Sequence, residues 1–196
     1  NTVSLKAPDN ITSSITWTLP QADVTNGFIK SDGSGNLSLE TVATGPTVGT
    51  PVATTSGTSN SFTGIASTAT VIIVQLNGVS TNGTSRVMLQ LGDSGGIETT
   101  GYIGNGGYAT NGTEITSGFP ISDNHNASDT LYGHYMLTKY NGNEWVATWN
   151  IYQKGQNKFS TGSGNKTLSA TLDRVALTTV GGTDTFDAGG FNVTYY

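Results

Sequence analysis

Short runs in which apolar and polar residues alternate recur along the second part of this chain, separated by Gly and Asn turns. Strict alternation with period two is typical of β-strands with one buried face. Seven segments show it: Thr70–Leu76, Arg86–Leu91, Leu131–Thr138, Trp145–Tyr152, Leu168–Leu172, Arg174–Val180 and Phe191–Tyr195. No Ala/Leu/Glu/Lys-rich stretch of helical length occurs. The pattern therefore predicts an all-β fold, with enough strands for a two-sheet sandwich.

Within that class, a jelly-roll-like antiparallel sandwich is the first prediction, ahead of an immunoglobulin-like one. Asn82-Gly83, Asn141-Gly142 and Gly181-Gly182 have the residue types of hairpin turns. The alternation also predicts which side chains face the core, and it places His134 on the opposite face. The inward set is Val87, Leu89, Leu91, Leu131, Tyr135, Leu137, Trp145, Ala147, Trp149, Ile151, Val193 and Tyr195.

Composition excludes several function classes. Thr (33), Gly (27), Ser (19) and Asn (17) make up about half of the 196 residues, whereas only 11% are charged, against about 25% in ordinary proteins. A net charge of −5 with eight scattered Lys and Arg argues against a nucleic-acid partner. The absence of cysteine removes disulfides and thiolate metal sites. No signal pattern and no apolar run of roughly 20 residues is present, so membrane insertion is not expected.

Three regions follow from the distribution of large apolar residues. Residues 1–40 hold short extended pieces that are too small to close a core alone, so we expect a β shaft segment that trimerises. Its buried contacts would come from Leu5, Ile15, Trp17, Leu19 and Ile29. Residues 41–60 are rich in Thr, Gly and Pro and predict a linker. Residues 61–196 predict the β-sandwich head.

The sequence Gly92-Asp93-Ser94-Gly95-Gly96 spells the nucleophile loop of chymotrypsin-like proteases. In that family the histidine and the aspartate precede the serine, but here both His125 and His134 follow it. We therefore interpret the segment as a tight turn. No pair of carboxylates stands in the Glu-x-Asp-x-Glu strand typical of jelly-roll glycosidases, so the chain is predicted to be non-enzymatic. The candidate acids in the head are Glu98, Glu114, Asp123, Asp129 and Glu144.

No cofactor and no metal are predicted. Oxygen ligands of the kind that calcium prefers occur at Asp184–Asp187 and Ser31–Asn36. The second segment lacks the Glu that a calcium-binding helix–loop–helix site carries at its twelfth position, because Ala43 stands there. Asx turns are the expected structure there, with a fortuitous surface calcium as the alternative.

Recognition on a β-sandwich is usually carried by loops on a rigid scaffold. Sugar-binding sites combine aromatic rings, which stack on sugar faces, with amides and carboxylates that bind hydroxyls. Three predicted loops have this composition, and their residues are the candidate receptor-binding set: Tyr102, Asn105, Tyr108, Asp123, His125, Asn126, Tyr140 and Asn141. The alternative is that the tyrosines pack at a trimer interface. Lys154, Lys158 and Lys166 are interpreted as part of a solvated loop, or alternatively as contacts to acidic polysaccharide.

Two parts of the chain resemble bacteriophage tail-fibre proteins. Residues 4–39 resemble the segment that precedes a terminal receptor-binding domain, with apolar departures at Phe28-Ile29 and Leu39. Residues 75–102 and 172–195 resemble a C-terminal domain of phage fibres and other phage structural proteins. The matching residues in the first part are Leu5-Lys6-Ala7-Pro8, Thr18-Leu19-Pro20, Ala22-Asp23, Gly27 and Asp32-Gly33-Ser34-Gly35-Asn36-Leu37.

The resemblance implies a virion protein: a homotrimeric tail fibre, extracellular, attached to other tail proteins, whose head binds a host-surface receptor. A glycan is the expected receptor, and a protein is the alternative. Other functions left open are a capsid or tail decoration protein that binds only virion components, a glycan depolymerase or peptidase, and a bacterial adhesin or carbohydrate-binding module.

Overall fold

The computed structural model describes residues 16, 18, 27–34, 36–41, 45–107, 114–122 and 124–196. It divides into two compact units, Asn1–Gly45 and Pro46–Tyr196. Leu5, Ile15, Trp17 and Leu19, which are predicted shaft contacts, lie outside the described residues, as do Tyr108 and Asp123. In the described part of the chain no helix has the length and apolarity that a bilayer span needs.

The first unit contains an antiparallel hairpin of β1 (Gly27–Ser31) and β2 (Leu37–Thr41). Asp32 closes its turn, because its carboxylate accepts hydrogen bonds from the backbone of Ser34 and from both the backbone and the side-chain amide of Asn36. These bonds, chiefly the one from the Asn36 side chain, lower the pKa of Asp32. The predicted Asx turn is therefore present.

The second unit is a β-sandwich of two antiparallel sheets. The small sheet has the order β10-β7-β14-β5, with β8 paired to β7. Its strands are β5 (Ser59–Thr63), β7 (Val87–Asp93), β8 (Gly96–Ile97), β10 (Phe119–Pro120) and β14 (Leu172–Thr179). The all-β sandwich prediction is confirmed.

The large sheet has the order β3-β15-β6-β11-β12-β13-β9, with β4 paired to β15. Its strands are β3 (Thr47–Val48), β4 (Val52–Ala53), β6 (Val71–Thr81), β9 (Tyr102–Gly107), β11 (Leu131–Asn141), β12 (Glu144–Gln153), β13 (Lys158–Thr167) and β15 (Phe186–Tyr195). A short 3₁₀ helix, Lys154–Gln156, joins β12 to β13. The β3–β4, β7–β8 and β11–β12 connections also stay within one sheet, whereas every other connection of the sandwich crosses between the two sheets.

The core lies between the sheets, where alternation predicted it. Eleven of the twelve predicted inward residues are buried, and Tyr195 is partly buried against the same core. His134 is exposed, as predicted. Four rings form the centre of the core: Tyr102 stands edge-on to Phe119 at 5.0 Å, and Trp149 contacts Phe119 at 5.9 Å and Tyr135 at 5.3 Å between ring centroids.

Several predicted elements differ from the structure. Of the three predicted hairpin turns, only Asn141-Gly142 joins neighbouring strands, β11 and β12. Asn82-Gly83 and Gly181-Gly182 lie in crossovers between the sheets. The two crossovers bond to each other, since the Ser85 amide donates to Asp184 at 2.7 Å and the Gly181 amide donates to the Ser85 hydroxyl at 2.7 Å.

The predicted linker and one predicted strand also differ. Residues 47–48, 52–53 and 59–63 form β3, β4 and β5 and pair with β15 and β14, so this part of the 41–60 region belongs to the sandwich. Val52 and Phe62 pack against the core, which stabilises these short edge strands. The predicted strand Leu168–Leu172 is instead the connection between β13 and β14, with Leu168 and Leu172 buried at its two ends.

Candidate functional site

Tyr102, predicted to be a loop residue that binds a receptor, is a core residue of β9. It is 1% exposed, and its hydroxyl accepts a hydrogen bond from the Leu91 amide at 2.7 Å and lies 2.8 Å from the Glu98 carbonyl oxygen. Burial raises the pKa of Tyr102. The ring and the hydroxyl are thus both occupied by contacts within the fold, and the prediction of an exposed Tyr102 is wrong.

His125 is also buried rather than exposed. Its Nε2 lies 3.0 Å from the Thr81 hydroxyl, and its Nδ1 lies 3.6 Å from the carboxylate of Asp129, which is fully buried. Asp129 further accepts hydrogen bonds from the Asn126 amide at 2.9 Å and from the Gln156 side chain. These contacts hold the segment between β10 and β11 against the sandwich, so His125 has a structural role.

The remaining described candidates do not converge on one place. Asn105 is half-buried on β9, Asn126 is exposed beside Asp129, and Tyr140 and Asn141 are exposed at the hairpin tip, with Tyr140 at 74%. Asn126 lies just before the first residue of β11, whereas Tyr140 and Asn141 lie at the last residues of β11. Because β11 has eleven residues, the two ends are roughly 30 Å apart. The structure therefore does not assemble one site from the predicted loops.

The three lysines that we assigned to one solvated loop are separated by the structure. Residues 158–167 form β13, and Lys166 is buried, with its ammonium group paired to Glu98 and 5.3 Å from the centroid of the Tyr102 ring. Burial of Glu98 acts to raise its pKa, but hydrogen bonds from Lys166 and Ser169 outweigh burial and lower it. Glu98 is therefore an ionised structural partner of Lys166.

The Gly92–Gly96 segment is a tight turn, as predicted. Gly92 pairs with Ile97 and Asp93 pairs with Gly96, and Ser94 is exposed at the tip. The Asp93 carboxylate accepts hydrogen bonds from the Ser169 hydroxyl at 2.8 Å and from the Gly95 amide at 2.7 Å, and these bonds lower its pKa. Within the described residues no group of three or more histidine and acidic side chains is placed to hold a metal ion.

A different surface combines rings and amides: the face of the large sheet that points away from the core. Tyr132 of β11 pairs directly with Tyr152 of β12, and Tyr152 pairs directly with Phe159 of β13. We call these three residues the aromatic row. Phe159 is 64% exposed and both tyrosines are half-buried, so the rings are accessible from outside.

A polar row lies beside the aromatic row, two residues along each strand. His134 pairs with Gln75 of β6 on one side and with Asn150 of β12 on the other, and Asn150 pairs with Thr161 of β13. All four side chains are exposed. We call Gln75, His134, Asn150 and Thr161 the polar row. Neither row contains Asp, Glu, Lys or Arg.

The two rows provide stacking surfaces next to groups that both donate and accept hydrogen bonds. Residues remote in sequence are brought together only because β6, β11, β12 and β13 are adjacent in the sheet. The alternation in the sequence places His134 on the outward face but assigns no role to the other residues of the two rows. The available signal was that the outward positions of two predicted strands carry tyrosines, Tyr132 and Tyr152, instead of only small polar residues.

The chain matches no family model, no curated protein and no solved structure. The likeness to tail fibres accordingly rests on the sequence segments named above, and the candidate site rests on the geometry of the large sheet.

Proposed function

We propose that this chain is the receptor-binding end of a bacteriophage tail fibre and acts without catalysis. The segments that resemble fibre proteins support the virion assignment: one precedes the sandwich, and the other two lie within it. In this proposal the head contacts the host cell, while residues 1–45 join the head to the fibre.

The observation that carries the proposal is the composition of the outer face of the large sheet. Phe159 is 64% exposed and stands beside the half-buried rings of Tyr152 and Tyr132, so the aromatic row forms one accessible apolar surface. Grouped apolar surface that is not buried within a domain marks an interaction site. Because hydrogen-bonding side chains border this apolar surface, the partner should present both apolar faces and hydroxyl or amide groups, as glycans do.

The proposed homotrimer is supported by the hairpin of the first unit. Ile29 is 57% exposed and pairs with the half-buried Leu39, whereas Phe28, 48% exposed, points to the other face. A two-stranded hairpin is marginally stable alone in water. Apolar side chains on both of its faces would be covered if copies of the chain wrapped around a common axis.

Three rival functions make different demands on the chain. A decoration protein would cover the outer face with another virion protein. A depolymerase would need a free pair of acids, and Glu98 is a poor member of such a pair because Lys166 and Ser169 occupy its oxygens. A third rival, a bacterial adhesin or carbohydrate-binding module, would work as a monomer.

Labelling of bacterial cells tests the proposal. The fluorescent full-length chain should label some strains of a bacterial panel saturably, and excess unlabelled chain should displace it. Labelled cells should keep their surface polymer at its original length, and Ser94→Ala, at an exposed turn position, should label equally well. Firm binding to purified virion proteins with no labelled strain would favour the decoration protein, and shortening of the polymer would favour the depolymerase.

A further inference from the structure

We propose that the outer face of the large sheet binds an uncharged polysaccharide whose chain lies across the strands, with its sugar rings on the aromatic row and its hydroxyls on the polar row. This inference rests on the proposed receptor-binding function and names the chemistry and the place of the contact. It moves the site from the loops to the sheet.

The direction of the ligand follows from the register. Tyr132, Tyr152 and Phe159 stand directly opposite one another on three neighbouring strands. Strands are about 4.8 Å apart, so the row is roughly 10 Å long and perpendicular to the strands. A polymer laid along this row meets one ring after another, whereas a polymer parallel to the strands would meet only one.

The rings are held in place before any ligand binds. Tyr152 and Phe159 contact each other, with 5.1 Å between ring centroids and 40° between ring planes. The Tyr152 hydroxyl also lies 3.0 Å from the side-chain oxygen of Asn157, which has a left-handed backbone conformation with φ of 51°. A preformed ring pair loses little conformational entropy when a ligand binds.

The polar row matches sugar hydroxyls in chemistry and in distance. It lies two residues, or roughly 7 Å, along the strands from the aromatic row. Amide, hydroxyl and imidazole side chains all contain a donor and an acceptor, as sugar hydroxyls do. Gln75, His134 and Asn150 lie on adjacent strands and therefore provide a continuous line of such groups.

The charge distribution in the two rows favours an uncharged ligand. No cation belongs to either row. Lys166 is buried against Glu98, and Lys158 donates to the Asn124 side chain at 2.5 Å. Lys154 is exposed, but it lies in the 3₁₀ helix beyond the end of β12 and not in a row. An acidic polymer would lose its hydration without gaining a counter-charge.

The test is an array of neutral and acidic bacterial polysaccharides probed with the full chain at low and high salt. We expect binding to neutral polymers that salt barely changes. Phe159→Ala and Asn150→Ala, both at exposed positions, should each weaken binding roughly tenfold, because each removes a stacking or hydrogen-bonding contact. Tyr196→Ala is the matched control, since Tyr196 is 53% exposed but lies at the other end of the strands, roughly 20 Å from the row.

Three binding results would overturn the inference: binding only to acidic polymers with strong salt dependence, equal binding by Phe159→Ala and the original chain, or no binding to any polymer of the array. A Phe159→Ala chain that changes oligomeric mass would instead assign the face to contacts between copies, which also contradicts a glycan site. Cell labelling that survives while array binding fails would leave the fibre function standing with a different ligand.

Discussion

At the scale of single residues, His125 is a buried ionisable side chain whose protonation state affects the stability of the head. It is 3% exposed, and it contacts the Thr81 hydroxyl and the Asp129 carboxylate. Burial lowers the pKa of His125, although Asp129, Asp184 and Asp187 act in the opposite direction. The fold therefore favours the neutral imidazole.

This preference predicts that the head loses stability in mild acid. The unfolded chain takes up a proton near the ordinary histidine pKa of about 6.5, while folded His125 resists protonation to lower pH. Because the unfolded state then binds more protons, the free energy of unfolding should decrease as pH falls below about 6.5. Urea unfolding at a series of pH values from neutral to mildly acidic measures the slope.

Substitution assigns that slope to one histidine. His125→Gln should lower stability at neutral pH, because the buried contact with Thr81 is altered, and should flatten the slope between neutral and mildly acidic pH. His134→Gln is the control, since His134 is the second of two histidines and is exposed. An unchanged slope in His125→Gln would contradict the assignment.

At the scale of strands, β9 and β13 are unusual because glycines occupy two inward positions of each, Gly104 and Gly106 on β9 and Gly162 and Gly164 on β13. A Cβ at Gly162 would overlap the Trp149 ring and stand 2.6 Å from the Asn105 carbonyl oxygen, and one at Gly164 would stand 2.7 Å from the Phe119 ring. On β9, Gly104 and Gly106 face the same two rings. The glycines thus make room for the aromatic centre of the core.

Replacement of one of these glycines tests this packing. Gly162→Ala should lower the free energy of unfolding by roughly 1–3 kcal/mol, because the methyl group displaces the Trp149 ring from a closely packed core. Gly45→Ala, where nothing lies within 4 Å of the added atom, should change stability by less than about 0.5 kcal/mol. Chemical denaturation measures both, and equal stability of the two variants would contradict the packing role.

These glycines also explain where sequence reasoning succeeded and where it failed. Strands such as β11 and β12 alternate apolar and polar residues, so both the strands and their buried faces were predictable. In β9 and β13 two inward positions each are glycines, so large apolar residues do not alternate with polar ones and the sequence suggests loops. The aromatic and polar rows were not predictable because they depend on which strands are neighbours. β6 pairs with β11, and even the partner residues that are nearest in sequence, Val79 and Leu131, are 52 residues apart.

At the scale of the whole molecule, the chain separates a small hairpin unit from a sandwich with its own core. The sandwich includes β3, β4 and β5, so its first residue is near Pro46, not near residue 61 as composition alone suggested. A truncation that removes only residues 1–45 should leave every strand of the sandwich intact. This boundary allows the proposed roles of the two units to be tested separately.

The molar mass in solution, measured by light scattering for residues 1–196 and for residues 46–196, tests the proposed fibre organisation most directly. We expect the 20.3 kDa full chain to form a trimer of roughly three times that mass and the truncated chain to be a folded monomer. A trimer that persists after truncation would place the contacts between copies in the head. The outer face of the large sheet would then be the first surface to test for those contacts. A full chain that is monomeric at all concentrations would contradict a trimeric fibre end and favour the adhesin or carbohydrate-binding module.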